Sequence, residues 1–317
     1  MRVPVLVAVA AIALTACGTT ETPQTQPTEN AGGPVTVTDA RGKAVELKSA
    51  AKRVVVLEWG EAEVVASLGV MPVGAADTAG YKTWDSAVAL DASVKDVGKR
   101  GEPSVDAIVA LDPDVVIMAA ERDSTVVPQL EKYVPVVVTK SSDAARNFDR
   151  LREDVKIIAQ ALGKTAEADK LLSEMDTKLA DGKKALAAKA GTPFFMADGW
   201  LEGSTVSIRP FGKGSLVSDT AEQLGLKNAW TGQVDAQWGL GQTDVEGLTA
   251  LSDPNTVLFY SASEDDVFTT GLAQNPVWQR LPFVSAKKVY KLEPGTWTFG
   301  GPKSVGHIAD QIVKALA

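Results

Sequence analysis

Few residues in this chain could do chemistry by themselves. Its 317 residues include one histidine, His307, and one cysteine, Cys17. A Ser-His-Asp triad or a Cys-His pair needs an imidazole within hydrogen-bond reach of its nucleophile. His307 lies inside a C-terminal helical pattern, where a structural role suits it better. A zinc or manganese shell recruits several histidines, and scattered carboxylates around one do not make a cluster. No GxxxxGK[ST] phosphate loop occurs, and Gly212-Lys213-Gly214-Ser215 reads as a turn. The remaining set is suited to binding. Arg100, Arg122 and Arg209 fall near strand ends, and Trp59, Trp84, Trp200, Trp238 and Trp297, with Tyr81, fall in loops beside strands. Guanidinium forks orient oxygen-rich or anionic groups, and indole faces supply contact area. Together they suit an oxygen-rich, partly apolar ligand held between two lobes, any metal arriving inside its chelator. Trp230 and Trp278 read as packing. No enzymatic activity and no resident cofactor are expected.

The elements that must position these residues are organised around a helix. Phe148, Leu151, Val155, Ile158 and Leu162 step by three and four, with Asp149, Arg150, Arg152, Glu153, Asp154 and Lys156 between them. We read one bridging helix over residues 142–163, capped by Ser142, ended by Gly163 and roughly 30 Å long. On either side the sequence repeats itself. Ser104–Ile117 reads SVDAIVALDPDVVI, and Asp244–Leu258 reads DVEGLTALSDPNTVL. Each is a short helical pattern with an acidic third residue, Asp106 or Glu246, followed by a Pro turn and a β-branched run. The order around them also recurs, which predicts two related α/β lobes, 34–141 and 164–317. Within them we expect a hairpin over Val35–Leu47, strands at Arg53–Leu57, Pro72–Ala76, Val115–Met118 and Val134–Thr139, and an aperiodic loop over Asp77–Lys99. A second helix, capped by Thr165, runs to about Ala190. Trp200 and Arg209 fall in a Gly-rich stretch before a helix at Leu216–Leu224.

The ends and the composition set the compartment. Arg2 precedes an apolar run from Val3 to Leu14, too short to span a membrane, so residues 1–16 read as a signal peptide. Residues 17–33 hold Thr, Gln, Glu, Pro, Gly and Asn without a large apolar side chain, a disordered tether. With a single cysteine, no disulfide forms within the chain. With 45% hydrophobic and 23% charged residues, the remainder can bury a large core. Removing the leader with Arg2 moves the net charge from −8 to −9, which argues against nucleic acid as a partner.

Leu14-Thr15-Ala16-Cys17 resembles the lipobox of bacterial lipoproteins, which implies lipidation of Cys17 and anchoring outside the cytoplasmic membrane. Arg100-Gly101-Glu102-Pro103-Ser104-Val105-Asp106 and Trp297-Thr298-Phe299-Gly300-Gly301-Pro302-Lys303-Ser304 resemble the ferric-siderophore branch of the substrate-binding lipoproteins of ABC importers. That resemblance covers the chain from about Val35 onward. It implies a class III periplasmic-binding-protein fold, two α/β lobes joined by one long helix, with a ferric siderophore in the cleft. It also implies delivery to an ABC permease dimer with its ATPase, by a receptor expected to be monomeric. By the same resemblance Arg100 contacts the iron-coordinating oxygens, and Trp238 and Trp297 belong to the pocket. Asp106 and Glu246 become candidates for docking on the permease. Relatives with a hydroxamate ligand carry a Tyr where this chain reads Ala119-Ala120-Glu121-Arg122, so ferric citrate stays open beside a ferric hydroxamate. A cobalamin or haem receptor is the alternative, with Tyr81 as a candidate axial ligand.

Overall fold

The computed structural model describes residues 32–120 and 125–317. Cys17, the leader and Arg122 lie outside the described residues. Two five-stranded sheets form the core.

The chain opens with an antiparallel hairpin, β1 (Val35–Thr38) and β2 (Ala44–Leu47), around the expected turn. The first sheet contains β3 (Val54–Val56), β4 (Gly74–Ala75), β5 (Lys95–Asp96), β6 (Val115–Ala119) and β7 (Val136–Thr139), in the order β5-β4-β3-β6-β7, all parallel. Its three long strands are buried at every residue, as continuous β-branched runs demand when helices cover both faces of a sheet. Around it lie α1 (Trp59–Ser67), α2 (Thr78–Trp84), α3 (Val105–Ala110) and α4 (Val126–Leu130). The expected loop over Asp77–Lys99 is therefore a helix and an edge strand. The side chain of Asp77 caps α2 by accepting from the Gly80 N–H at 3.0 Å, a signal too local for periodicity to reveal.

Between the sheets runs α5 (Asn147–Leu162), followed by α6 (Thr165–Ala185) and a 3-10 turn at Ala187–Lys189. Gly163 ends α5 in the left-handed conformation at φ 65, as its type predicts. Two details differ from the sequence reading. The helix begins five residues after Ser142, which does not cap it, and Arg150 and Asp154 lie in the interior rather than on the charged face. The reason is a polar knot at the helix start. Asp154 accepts from the Lys140 and Ser141 N–H groups at 2.9 and 2.8 Å, and Arg150 reaches Asp154 and Asn147. Asn147 in turn donates to the Gly214 carbonyl at 2.7 Å. Gly214 is required there, since its φ is +85 and a Cβ would stand 2.1 Å from the Ala144 carbonyl. Thr165, expected as the cap of α6, is its first helical residue.

The second sheet contains β8 (Pro193–Glu202), β9 (Thr205–Pro210), β10 (Lys227–Asn228), β11 (Val257–Tyr260) and β12 (Val289–Lys291). Its parallel order is β10-β8-β11-β12, with β9 pairing antiparallel to β8. The order matches β4-β3-β6-β7 of the first sheet, with β6 and β11, the repeat strands, in equivalent places. The second copy departs in one respect. Its expected helix is a 3-10 turn, Gly247–Ala250, with Glu246 at its N-cap, whereas Asp106 sits inside α3. Trp200 and Arg209 belong to the β8–β9 ribbon rather than to a loop. The helices on this side are α7 (Leu216–Gln223), α8 (Pro276–Arg280), α9 (Pro282–Ser285) and α10 (Pro302–Leu316). Among the described residues no helix is long and apolar enough to cross a membrane.

Candidate ligand-binding site

A cleft of about 790 Å³ opens between the two sheets, lined by the ends of parallel strands and by the ribbon. Its N-terminal wall is built at the start of α1, where β3 runs into the helix. Glu58, the N-cap, accepts from the Trp59 N–H at 2.9 Å and from Arg100 Nη1 at 2.6 Å. The Arg100 guanidinium lies over the Trp59 ring, 3.7 Å from its centroid. Stacking of this kind is worth about 1 kcal/mol and holds a planar group in one orientation. Trp59 is itself fixed, because its indole N–H reaches the Ala76 and Asp77 carbonyls, both at 3.2 Å, and its ring meets Trp297 edge to face at 4.8 Å.

The opposite wall rises from the ribbon. Arg209 and Asp198 pair across β8 and β9 with two hydrogen bonds, one of them Nε to Oδ1 at 2.9 Å. Burial pushes the Asp198 carboxyl up from its ordinary value, and the Arg209 guanidinium pulls it back. Arg209 also approaches the rings of Trp200, Phe211 and Phe299 within 5.4 to 5.8 Å. Phe299 joins the aromatic floor, with Trp238 and Trp297 both at 5.2 Å in edge contacts.

The floor is held from below by a residue that sequence reasoning missed. Glu63 of α1, fully buried, accepts from the N–H groups of Gly301, Lys303 and Ser304 and from the Ser304 hydroxyl, at 2.6 to 3.1 Å. These donors form the start of α10, so one carboxylate ties a helix of the first half to the segment carrying Trp297 and Phe299. Gly300 and Gly301 permit the approach, since Cβ atoms there would lie 2.5 and 2.9 Å from the carboxylate oxygens. Nothing short-range marks Glu63, because its partners are more than 230 positions away.

Of the sequence candidates, Arg100, Arg209, Trp59, Trp84, Trp200, Trp238 and Trp297 line the cleft. Tyr81 does not. Its ring is buried in the core, its hydroxyl donates to the Val88 carbonyl at 2.6 Å, and burial raises its pKa, so it offers no ligand to haem. Arg122 lies outside the described residues. Asp106 and Glu246 are exposed and away from the cleft. His307 sits in α10, outside the cleft, in keeping with a structural role, and its buried Nε2 has no hydrogen-bond partner among the described residues. Besides Glu58 and Asp198, the lining includes Ser141, Ser261, Glu264, Asp265 and Phe299. Among the described residues no group of three or more His, Cys, Asp or Glu could hold a metal ion.

The family model described as "Periplasmic binding protein" matches residues 54–296. The chain belongs to that family. Among curated proteins it resembles the iron(3+)-hydroxamate-binding protein FhuD of Escherichia coli, 27% identical over 270 residues, covering 83% of this chain and 86% of that one. It also resembles the Fe(3+)-citrate-binding protein YfmC of Bacillus subtilis, 29% identical, with 88% and 84% covered. Among solved structures, the Fe3+-Desferal-bound siderophore-binding protein FhuD from Vibrio cholerae superposes with a TM-score of 0.74 at 28% identity, covering 84% of this chain and 97% of that one. The fold is therefore the class III binding-protein fold expected from the sequence.

Proposed function

We propose that this chain is the receptor of an ABC importer for a ferric siderophore, of hydroxamate or citrate type. It holds the chelate in the cleft between the sheets and delivers it to a permease dimer with its ATPase. The observation that carries the reading is the pairing of Arg100 and Arg209 on opposite walls, each stacked against rings, over a floor of Trp297, Trp238 and Phe299. Such a cleft can grip the oxygen-rich face of an iron chelate and its apolar body without proton transfer or a nucleophile. Relatives named for ferric hydroxamate and ferric citrate support the ligand class. In this reading residues 34–141 and 164–317 act as lobes around the 142–163 bridge, and closure is modest because a packed helix resists bending. Cys17 carries the lipid anchor, the receptor works as a monomer outside the cytoplasmic membrane, and Asp106 and Glu246 dock on the permease.

Quenching of tryptophan fluorescence tests this, with the protein titrated by a ferric trihydroxamate, ferric citrate, haem, cobalamin and the iron-free chelators. Saturable quenching by a ferric chelate alone, weakened at least tenfold in Arg100→Ala and Trp238→Ala, is expected. Quenching by cobalamin or haem only, or by none of them, overturns the reading.

A further inference from the structure

The charge of the cleft, resting on the reading above, narrows the ligand. Among the described residues two arginines line it, and both are neutralised by their own walls, Arg100 by Glu58 and Arg209 by Asp198. Neither guanidinium is left as an uncompensated positive charge for an anionic ligand. On the rim, Glu264 and Asp265 are exposed, line the cleft and make no ion pair among the described residues. The described lining therefore carries two more negative than positive charges. A second observation points to what passes that rim. Among the described residues the exposed large hydrophobics are Met71, Tyr133, Trp200 and Leu201, and the last two stand on the ribbon at the cleft mouth, 42 and 55% exposed. Exposed apolar side chains gathered beside a concave site mark contact with an apolar part of a partner.

We propose that Glu264 and Asp265 select the charge of the chelate, and that the ligand is a ferric chelate of zero or positive net charge, with an apolar chain lying on Trp200 and Leu201 and a basic end toward the two carboxylates. An anionic chelate such as ferric citrate would meet like charge at the rim and gain no free guanidinium among the described lining residues. A unit charge some 6 to 8 Å from two exposed carboxylates feels an attraction equivalent to a roughly threefold to tenfold change in affinity, reduced by salt.

A series of three linear ferric trihydroxamates tests this: one ending in a free amine, one with the amine acetylated, and one with it succinylated, so that charge changes while the iron centre does not. The expected order of affinity is amine, then acetyl, then succinyl, with roughly tenfold between the ends at low salt and less at high salt. In Glu264→Gln/Asp265→Asn that ratio falls to within about twofold. An order that is flat or reversed in the parent protein, or one that survives in the double variant, overturns the inference. Binding of none of the three, with ferric citrate bound instead, also overturns it while leaving the receptor reading intact. Failure of every ferric chelate to bind brings down the receptor reading and this inference together.

Discussion

The two walls of the cleft are made differently. The N-terminal wall grows out of the core: Trp59 is 4% exposed, Glu58 is buried, and both stand where a fully buried strand enters a helix. The C-terminal wall stands on an antiparallel ribbon that leaves the parallel sheet, with Trp200 42% exposed at its tip. One wall is therefore paid for by folding, and the other is a surface feature added to an otherwise similar sheet. The contrast teaches that a residue's part in binding and its part in stability separate on one side and not on the other.

The largest way to break the comparison is on the buried side. Trp59→Ala removes a core ring together with its two hydrogen bonds, and should cost about 3–5 kcal/mol in urea unfolding while also abolishing binding. Glu63→Ala leaves four donors facing a cavity and should cost about 3 kcal/mol, with Glu63→Gln recovering part of it. If either variant melts like the parent, the N-terminal wall is not core.

A second contrast is in pH. Burial, with Glu63 nearby, pushes the Asp85 carboxyl in the first half up to about 9, and burial pushes Asp219 in the second half up to about 6. Each folded value exceeds the ordinary one of 3.8, so the folded state holds the extra proton. The stability this contributes is complete below pH 4 and declines as pH rises through the folded value. Thermal melts should therefore show Asp219→Asn flattening the decline between pH 4 and 6, and Asp85→Asn flattening it up to pH 9. Parallel curves for parent and variants would contradict the assignment.

The smallest stability effect belongs to the exposed wall. Trp200→Ala should leave the unfolding free energy within about 0.5 kcal/mol while weakening chelate binding by about 1–2 kcal/mol. A loss of stability comparable to that of Trp59→Ala would erase the distinction between the walls.

The same contrast decides what was legible in the sequence. The continuous runs Val54–Val56 and Val115–Ala119, and the end of the bridging helix at Gly163, follow from residue type within a few positions of themselves. The repeat was legible because both halves lay their strands in the same order. The ribbon was not, since Gly199 and Gly203 look like breakers. In fact Gly203 turns the hairpin at φ 64, and Gly199 lies within β8 where a Cβ would meet the Ser207 carbonyl at 2.9 Å. The burial of Arg150, the pin at Glu63 and the inward turn of the Tyr81 hydroxyl depend on partners that no local window contains. Arg100, Arg209, Trp59, Trp84, Trp200, Trp238 and Trp297 were found because residue type and strand-end position converge. Glu58, Asp198, Glu264 and Asp265 were missed because carboxylates are common and only the fold collects these four.

The most direct test of the central claim is the melting temperature of the protein with and without a saturating ferric trihydroxamate, beside the iron-free chelator at equal concentration. At one hundred times its dissociation constant a ligand that binds only the folded state adds about 2.7 kcal/mol. The account predicts a clear rise with the ferric chelate and none with the iron-free one, while equal melting in all three samples would contradict it.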